Sequence, residues 1–286
     1  MEASVIMRAL DPEVVDAVWA AVEPLLPTPA VDAHPLGCHR PRVPDRVCFE
    51  GILIRLVTGC AWVDAERLLG NRVSDTTLRD RRDEWTAAGV FDQLVDDALA
   101  GYDRIVGLDL SECSVDGSQH KAPTGGEGTG PSPVDRGKRG WKWSLFADRN
   151  GIPLGWVTDG ANRNDCVLLA PTLAMVAERG LLTDAETLHL DRGYDNGIVR
   201  RLVAALGIDD LVCSKVRERG TATTKKLVPL GLRWPIERTN SWLSNFGQLR
   251  RNTDRRIAHR LAQLALAIAL LLAAKLIDWR NRWSPA

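Results

Sequence analysis

Leu188-His-Leu-Asp-Arg-Gly-Tyr194 is a short apolar run that ends on an acid and then turns. Residues Thr187–Leu190 read as a strand bounded by polar residues, with Asp191 at its end. Cys113-Ser-Val-Asp-Gly-Ser118 has the same form, with a strand expected over 112–115 and Asp116 closing it. Further strand-like runs lie at 143–147, 154–158 and 210–213. Helical patterns fall between and after them, at about 167–179 and 196–206, and from Ile236 into the C-terminal helix. This alternation predicts an α/β or α+β domain with a central sheet over residues 101–286.

The first 100 residues have a different character. Helix-period apolar patterns occupy 11–25 and 46–100, joined by a Pro-rich linker over 24–44 that forbids regular helix. Within the second stretch, helices are expected at 49–57 and 64–69, and a third starts after the N-cap Ser74 and runs to about Trp85. Short helix, turn and final helix form a helix-turn-helix-like module. Thr76, Thr77, Arg79 and Arg81, with Arg82, would lie on its reading side. The acids Asp80, Asp83 and Glu84 on the same helix could instead pair with those arginines.

Composition excludes a disordered or fibrous chain, since apolar residues make up 45% and charged residues 26%. The formal net charge is zero, but the basic residues are not evenly spread. Arg233, Arg238, Arg250, Arg251, Arg255, Arg256 and Arg260 fall within one stretch against only Glu237 and Asp254. Lys215, Arg217, Arg219, Lys225 and Lys226 precede it. A polyanionic partner would meet the last third of the chain.

The six cysteines are scattered, which fits reduced thiols. His34, Cys38, His39 and Cys48 lack the paired spacing of a zinc site and read as loop histidines and small apolar cysteines. The longest apolar run, 264–274, is shorter than the roughly 20 residues that span a bilayer, so a buried helix and a cytoplasmic protein are expected.

Two acids at strand ends converge on one edge of a sheet, and a helix packed across that edge can deliver a third carboxylate. Glu237, in Arg233-Trp-Pro-Ile-Glu-Arg-Thr, opens such a helix. Asp116, Asp191 and Glu237 together are hard oxygen ligands of the kind that select Mg²⁺ or Mn²⁺. Two such ions about 3.5–4 Å apart can drive displacement at a phosphodiester. Isolated strand-end Asp residues are otherwise turn formers or helix caps.

Val115-Asp-Gly-Ser118, Leu190-Asp-Arg-Gly-Tyr-Asp195 and Arg233-Trp-Pro-Ile-Glu-Arg-Thr-Asn-Ser-Trp-Leu243 resemble the three acidic blocks of the DDE transposases of bacterial insertion sequences, in the insertion sequence five group, related to the insertion sequence four type. Asp116 and Asp191 are 75 positions apart, and Asp191 and Glu237 are 46 apart, within that family's range. Val22-Glu-Pro-Leu-Leu-Pro27, Gly51-Ile-Leu-Ile-Arg55 and Thr58-Gly-Cys-Ala-Trp62 are similar to the family's N-terminal helical domain.

The resemblance implies an α/β, ribonuclease H-like catalytic domain with a mixed central sheet and with metals on Asp116, Asp191 and Glu237. It implies double-stranded DNA as partner, both transposon ends and target, with a homodimer on DNA. Cleavage at the element's ends followed by strand transfer would be the reaction. The family signature has a Tyr three residues before the Arg, where this chain has Leu230. It also has a basic residue seven or eight after the Glu, where Ser244 and Asn245 stand. Arg250 and Arg251, farther along the expected helix, are the candidates to replace that DNA contact.

Further DNA contacts are assigned to Arg233, Arg238 and Trp242, the last about one turn beyond Glu237. Trp141, Trp143, Trp156 and Trp234 read mainly as core. Asp165, in Asn162-Arg-Asn-Asp165, either supports the acidic site from behind or belongs to the cap of the following helix. Ser118 and His120 are too close in sequence, on an extended chain, to act as nucleophile and base. The Gly/Pro-rich segment 121–140 is expected to be a mobile loop and lacks the Gly-Lys-Ser/Thr of a phosphate-binding loop. Two alternatives stay open on the sequence: a related endonuclease without strand transfer, and a DNA-binding remnant without catalysis.

Overall fold

The computed structural model describes residues 9–29, 41–208, 210–213 and 232–283. The basic cluster 215–226, Leu230, the His34/Cys38/His39 group and much of the Pro-rich linker lie outside the described residues. The chain divides into two compact units. One comprises residues 1–106 and 242–286, the other residues 107–241.

The first unit is helical. Its elements are α1 (Pro12–Val22), α2 (Asp45–Thr58), α3 (Trp62–Leu68), α4 (Asp75–Ala87), α5 (Val90–Ile105), the short α9 (Gly247–Arg250) and α10 (Ile257–Trp283). Ser74 caps α4 as expected, its side chain accepting from the Thr77 amide at 3.2 Å. Gly59 ends α2 at φ 74°, and Gly247 lies so close that a Cβ there would sit 2.4 Å from the Thr58 carbonyl carbon. Two backbones touch at that point, and only glycine permits it.

α10 packs against α5, α1 and α4. The sequence-based division placed this helix with the sheet. Its 27 residues extend the apolar run in both directions, with a window of mean hydropathy 2.0. By length and composition it could cross a membrane, contrary to the expectation from the apolar run alone, but 72% of that window is buried within the protein. The helix from Ile236 is also not continuous with it. α8 (Trp234–Ser244) ends before Phe246, whose backbone is extended at φ −66° and ψ 122°.

The second unit is a six-stranded sheet flanked by helices. Its strands are β1 (Glu112–Lys121), β2 (Gly130–Pro131), β3 (Arg139–Ala147), β4 (Pro153–Gly160), β5 (Thr187–Leu190) and β6 (Asp210–Cys213). β3 lies between β1 and β4, antiparallel to both, while β5 and β6 continue from β1 in parallel. Three antiparallel strands followed by two parallel ones, with helices α6 (Asp165–Glu178) and α7 (Gly197–Ala205), form the mixed sheet of the ribonuclease H-like fold.

Alternation along β3 sends Trp141, Trp143 and Leu145 to one face, with Lys142, Ser144 and Phe146 on the other. α6 covers the second face, where Thr172 Oγ1 meets Ser144 Oγ at 2.9 Å. α8 belongs to the first, tied down by Trp143 Nε1 donating to Asn240 Oδ1 at 2.8 Å.

The segment 121–140 differs from expectation. β1 runs on to Lys121, β3 already begins at Arg139, and β2 pairs with β3 between them. The turn is held by backbone bonds such as Ser132 N–H to the Lys138 carbonyl at 2.8 Å. Glycine and proline here shape a hairpin arm instead of leaving a mobile loop.

Candidate active site

Asp116 lies in the middle of β1, not at its end. The parallel ladder between β1 and β5 stops at the pair Ser114 and His189, two residues before Asp116 and two before Asp191. From there β1 follows β3, with Asp116 opposite Leu145, while β5 ends. Asp191 caps the short turn Arg192–Tyr194, accepting from the Arg192 amide at 2.6 Å. The two strands therefore open a notch with one acid on either side.

Glu237 sits in the first turn of α8, which is anchored at several points within this unit. Thr239 Oγ1 donates to the Gly151 carbonyl at 2.5 Å, and Arg238 Nη2 donates to the Asn150 carbonyl at 2.9 Å. A Cβ on Gly151, at φ 76°, would approach the Pro235 carbonyl oxygen to 2.8 Å, so helix and turn are packed backbone to backbone.

The three carboxylates gather on one guanidinium. Arg233 Nη2 is 3.6 Å from Asp116 Oδ1 and 3.5 Å from Glu237 Oε1, and Nη1 is 3.3 Å from Asp191 Oδ1. The backbone leading into Arg233 is fixed by Leu232 N–H donating to His189 Nδ1 at 3.1 Å. His189 Nε2 in turn pairs with Glu112. Burial pushes the Asp116 carboxyl up to about 6, with Arg233 and the Gly117 amide opposing and Glu237 and Asp191 adding to the rise. One cation thus leaves the cluster short of positive charge.

Among the described residues, no group of three His, Cys, Asp or Glu side chains is closed tightly enough to hold an ion. Each of the three acids is turned to the guanidinium instead. The donor set nevertheless fits a hard divalent cation: all oxygen, already converged on a positive group, and undercompensated at Asp116.

Asn240 is a site residue that the sequence reading missed. Its Nδ2 donates to Asp116 Oδ2 at 3.3 Å while its Oδ1 accepts from Trp143 Nε1. An indole N–H can only donate, so Trp143 dictates which end of the amide faces the acid. The signal was present in the spacing, since Asn240 follows Glu237 by three on one helix and so shares its face.

Asp165 lies on the opposite side of β1. It is the first residue of α6, capped by the preceding Asn164, and a Cβ on Gly117 would come within 2.5 Å of its Oδ1. Lys142, only 2% exposed, donates to the same oxygen at 2.5 Å. Lys142 was not anticipated, because a lysine between two tryptophans on a strand reads as solvent-facing. His120 stacks on Trp143 with ring centroids 3.8 Å apart, and burial drives its imidazole down to about 3. It is a packing residue.

The remaining predicted contacts are distributed unevenly. Arg233 and Arg238 belong to the sheet unit, with Arg238 also lying 4.4 Å over the exposed Trp234 ring. Trp242, Arg250 and Arg251 belong to the helical unit. Lys275 sits 4.5 Å over the Trp242 ring, and Arg250 and Arg251 are exposed, beyond the end of α8 instead of along it. Thr76 is exposed, Thr77 is turned toward the Ser74 hydroxyl at 2.9 Å, and Arg79 pairs with Asp75 at 2.6 Å.

Arg81 corrects the expectation of an outward reading face. It is buried, pairs with Asp45 and stands 3.3 Å from Glu84. Arg82 is also buried and meets Asp254 at 2.9 Å. Both guanidiniums are spent on ion pairs inside the unit. The five described cysteines are all free.

Residues 14–95 match a family described as "Putative transposase of IS4/5 family", and residues 108–272 match the family "Transposase DDE domain". A "Putative transposase for insertion sequence element IS402" from Burkholderia cepacia is 36% identical over 148 residues, covering 50% of this chain and 67% of the relative. An "Insertion element IS402 uncharacterized 16.2 kDa protein" from the same organism is 35% identical over 122 residues, 43% of this chain and 82% of the relative. Among solved structures, the Mos1 transposase paired-end complex with left transposon end aligns at TM-score 0.25 and 12% identity, over 64% of this chain and 62% of that one.

Proposed function

The chain belongs to the DDE transposases of the IS4/5 type, and on that premise we propose that it binds the ends of its insertion sequence and catalyses metal-dependent DNA cleavage and strand transfer. One observation carries this reading: Asp116, Asp191 and Glu237 converge on a single cationic position, held here by Arg233. These three side chains are the ones that would hold two Mg²⁺ or Mn²⁺ ions. When bound, such ions activate a water or 3′-hydroxyl and stabilise the leaving oxygen of a phosphodiester.

The chain's own residues supply position and charge. Asn240 holds one Asp116 oxygen and leaves the other toward Arg233. Asp165 and Lys142 brace the strand behind Gly117, so the Asp116 backbone has a fixed wall. Arg233 keeps the three acids gathered, and it is well placed to meet a phosphate once its carboxylates are otherwise engaged.

Arg238, Trp242, Arg250, Arg251, Thr76, Thr77 and Arg79 are assigned to double-stranded DNA, and Arg81 is withdrawn from that set because it is buried. Transposon ends and target DNA are the partners, with a homodimer holding two ends and the protein residing in the cytoplasm, on the nucleoid when bound. The test is a joining assay with a labelled terminal repeat and a plasmid target. Asp116→Ala, Asp191→Ala and Glu237→Ala should each abolish cut and joined products while end binding in a gel shift stays within a few fold. Cutting without joining in the unaltered protein would favour an endonuclease, and cutting retained in all three variants would refute the site.

A further inference from the structure

The helical unit contains a cleft apart from the acidic site, and two of its lining residues, Arg79 and Arg251, are among the DNA contacts proposed above. It has a volume of about 590 Å³, and six arginines line it against two carboxylates, Asp83 and Asp254. Its walls come from the α2–α3 turn, α4 and the segment from Arg251 into the first turn of α10, all within one unit.

The floor is already organised. Asp254 is buried between Arg55 at 3.3 Å and Arg82 at 2.9 Å, and Gln263 donates to it at 2.6 Å. The same two guanidiniums lie over the Trp62 ring at 4.4 and 5.2 Å. Arg55 Nε, though buried, has no hydrogen-bond partner. Arg82 Nε also meets Asp83 at 2.5 Å, so both carboxylates of the cleft are engaged by its floor.

The rim brings further arginines. Arg251, Arg255 and Arg256 are exposed, and among the described residues Arg251 and Arg255 have no carboxylate partner. Arg256 reaches Asp83 only at 3.9 Å, and Arg79 is 45% exposed.

We propose that this cleft is an anchor for the phosphodiester backbone of DNA, binding it without reading sequence. Several features select that ligand. Its cations are all arginine, whose planar fork matches phosphate oxygens. The Trp62 face that a base would need for stacking is occupied by Arg55 and Arg82. The volume suits a phosphate-bearing segment of one strand, and the first turn of α10 brings a helix N-terminus to the same place. The inference rests on DNA being the partner under the reading above, but it concerns binding only and is independent of the acidic site.

The experiment is fluorescence anisotropy with the full chain, a duplex carrying the terminal repeat and a scrambled duplex, across a salt series. The double variant Arg251→Gln, Arg255→Gln is used because neither side chain has a carboxylate partner here to lose, and its thermal melt checks the fold. The expected result is an equal weakening on both duplexes, about tenfold, with the slope of log Kd against log salt reduced by about 2. Unchanged affinity and slope would overturn the proposal, as would a loss confined to the terminal repeat. Inorganic tripolyphosphate serves as a second probe. Uptake that is lost in the variant while duplex affinity is untouched would assign the cleft to a free anion and also overturn it. Failure of the catalytic reading would leave these binding curves as they are, so the two can fail separately.

Discussion

Arg233 Nη2 stands 3.6 Å from Asp116 Oδ1, and through the same guanidinium Arg233 also reaches Asp191 and Glu237. A side chain four residues before Glu237 on the chain thus occupies the place where the acids point. It acts as an internal counter-cation, and removing it should transfer that role to the solvent or to a bound ion.

Arg233→Gln is therefore expected to lower stability in metal-free buffer by about 1 kcal/mol, a modest figure because Asp191 and Glu237 are about half exposed. Mn²⁺ should then raise the melting temperature more in the variant than in the unaltered protein. A melting series with and without Mn²⁺ checks this, and equal shifts in both proteins would show that Arg233 does not compete for the site.

Asn240 joins Trp143 to Asp116. Asn240→Ala leaves a buried indole N–H unpaired and removes a donor from the acid, a loss of about 1–3 kcal/mol. Urea unfolding should show it, and Trp143→Phe in the Asn240→Ala background should recover part of the loss, because the orphaned donor is then gone.

Lys142 is buried with its ammonium on Asp165. Asp165→Ala leaves that charge only the Arg163 carbonyl at 3.0 Å and should cost about 1–3 kcal/mol, since Asp165 itself is 42% exposed, whereas Lys142→Met together with Asp165→Ala should fall well short of the two single losses combined. A double-mutant cycle by denaturant unfolding measures the coupling.

Asp254 gives the helical unit a pH-sensitive point. Burial alone would raise its carboxyl, but Arg55, Arg82 and the Gln263 amide outweigh this and hold it below the ordinary 3.8. A depressed folded value means that the stabilisation is present above the unfolded value and lost as pH falls through the folded one. Thermal stability should therefore drop on acidification below about pH 4. Asp254→Asn should be less stable at neutral pH and lose part of that acid step. An acid step identical in the variant would show that other carboxylates govern it.

Much of this was legible in the sequence, for physical reasons. Ser74 is a short polar residue before a helix-period run, and the β5 strand is an apolar run with clear ends, so local pattern sufficed for both. Asp116 was found as an acid but misplaced at a strand end, because the apolar run stops before it and residues 117–121 carry no apolar alternation. They stay extended through pairing with β3, a non-local partner. The arm at 121–140 failed for the same reason.

Arg81 and Arg82 show the converse failure. On a helix they read as solvent-facing cations, yet Asp45 and Asp254, distant in sequence, draw them inside. Helix α10 was underestimated because Arg260, Gln263 and Lys275 interrupt the apolar composition. Arg260 and Gln263 are buried, with polar partners near Asp254. Charge in a sequence marks surface only where no buried partner awaits it.

The central claim is that Asp116, Asp191 and Glu237 form a metal-dependent centre acting on the element's own ends. The most direct measurement incubates the purified protein with a labelled fragment carrying the flanking inverted repeat, in Mg²⁺, Mn²⁺ or EDTA, and reads the products on a denaturing gel. Cuts at the repeat boundary that need the metal and vanish in Asp191→Ala are the predicted result. Specific binding with no cut under either metal, or cutting that survives in Asp191→Ala, would contradict the account.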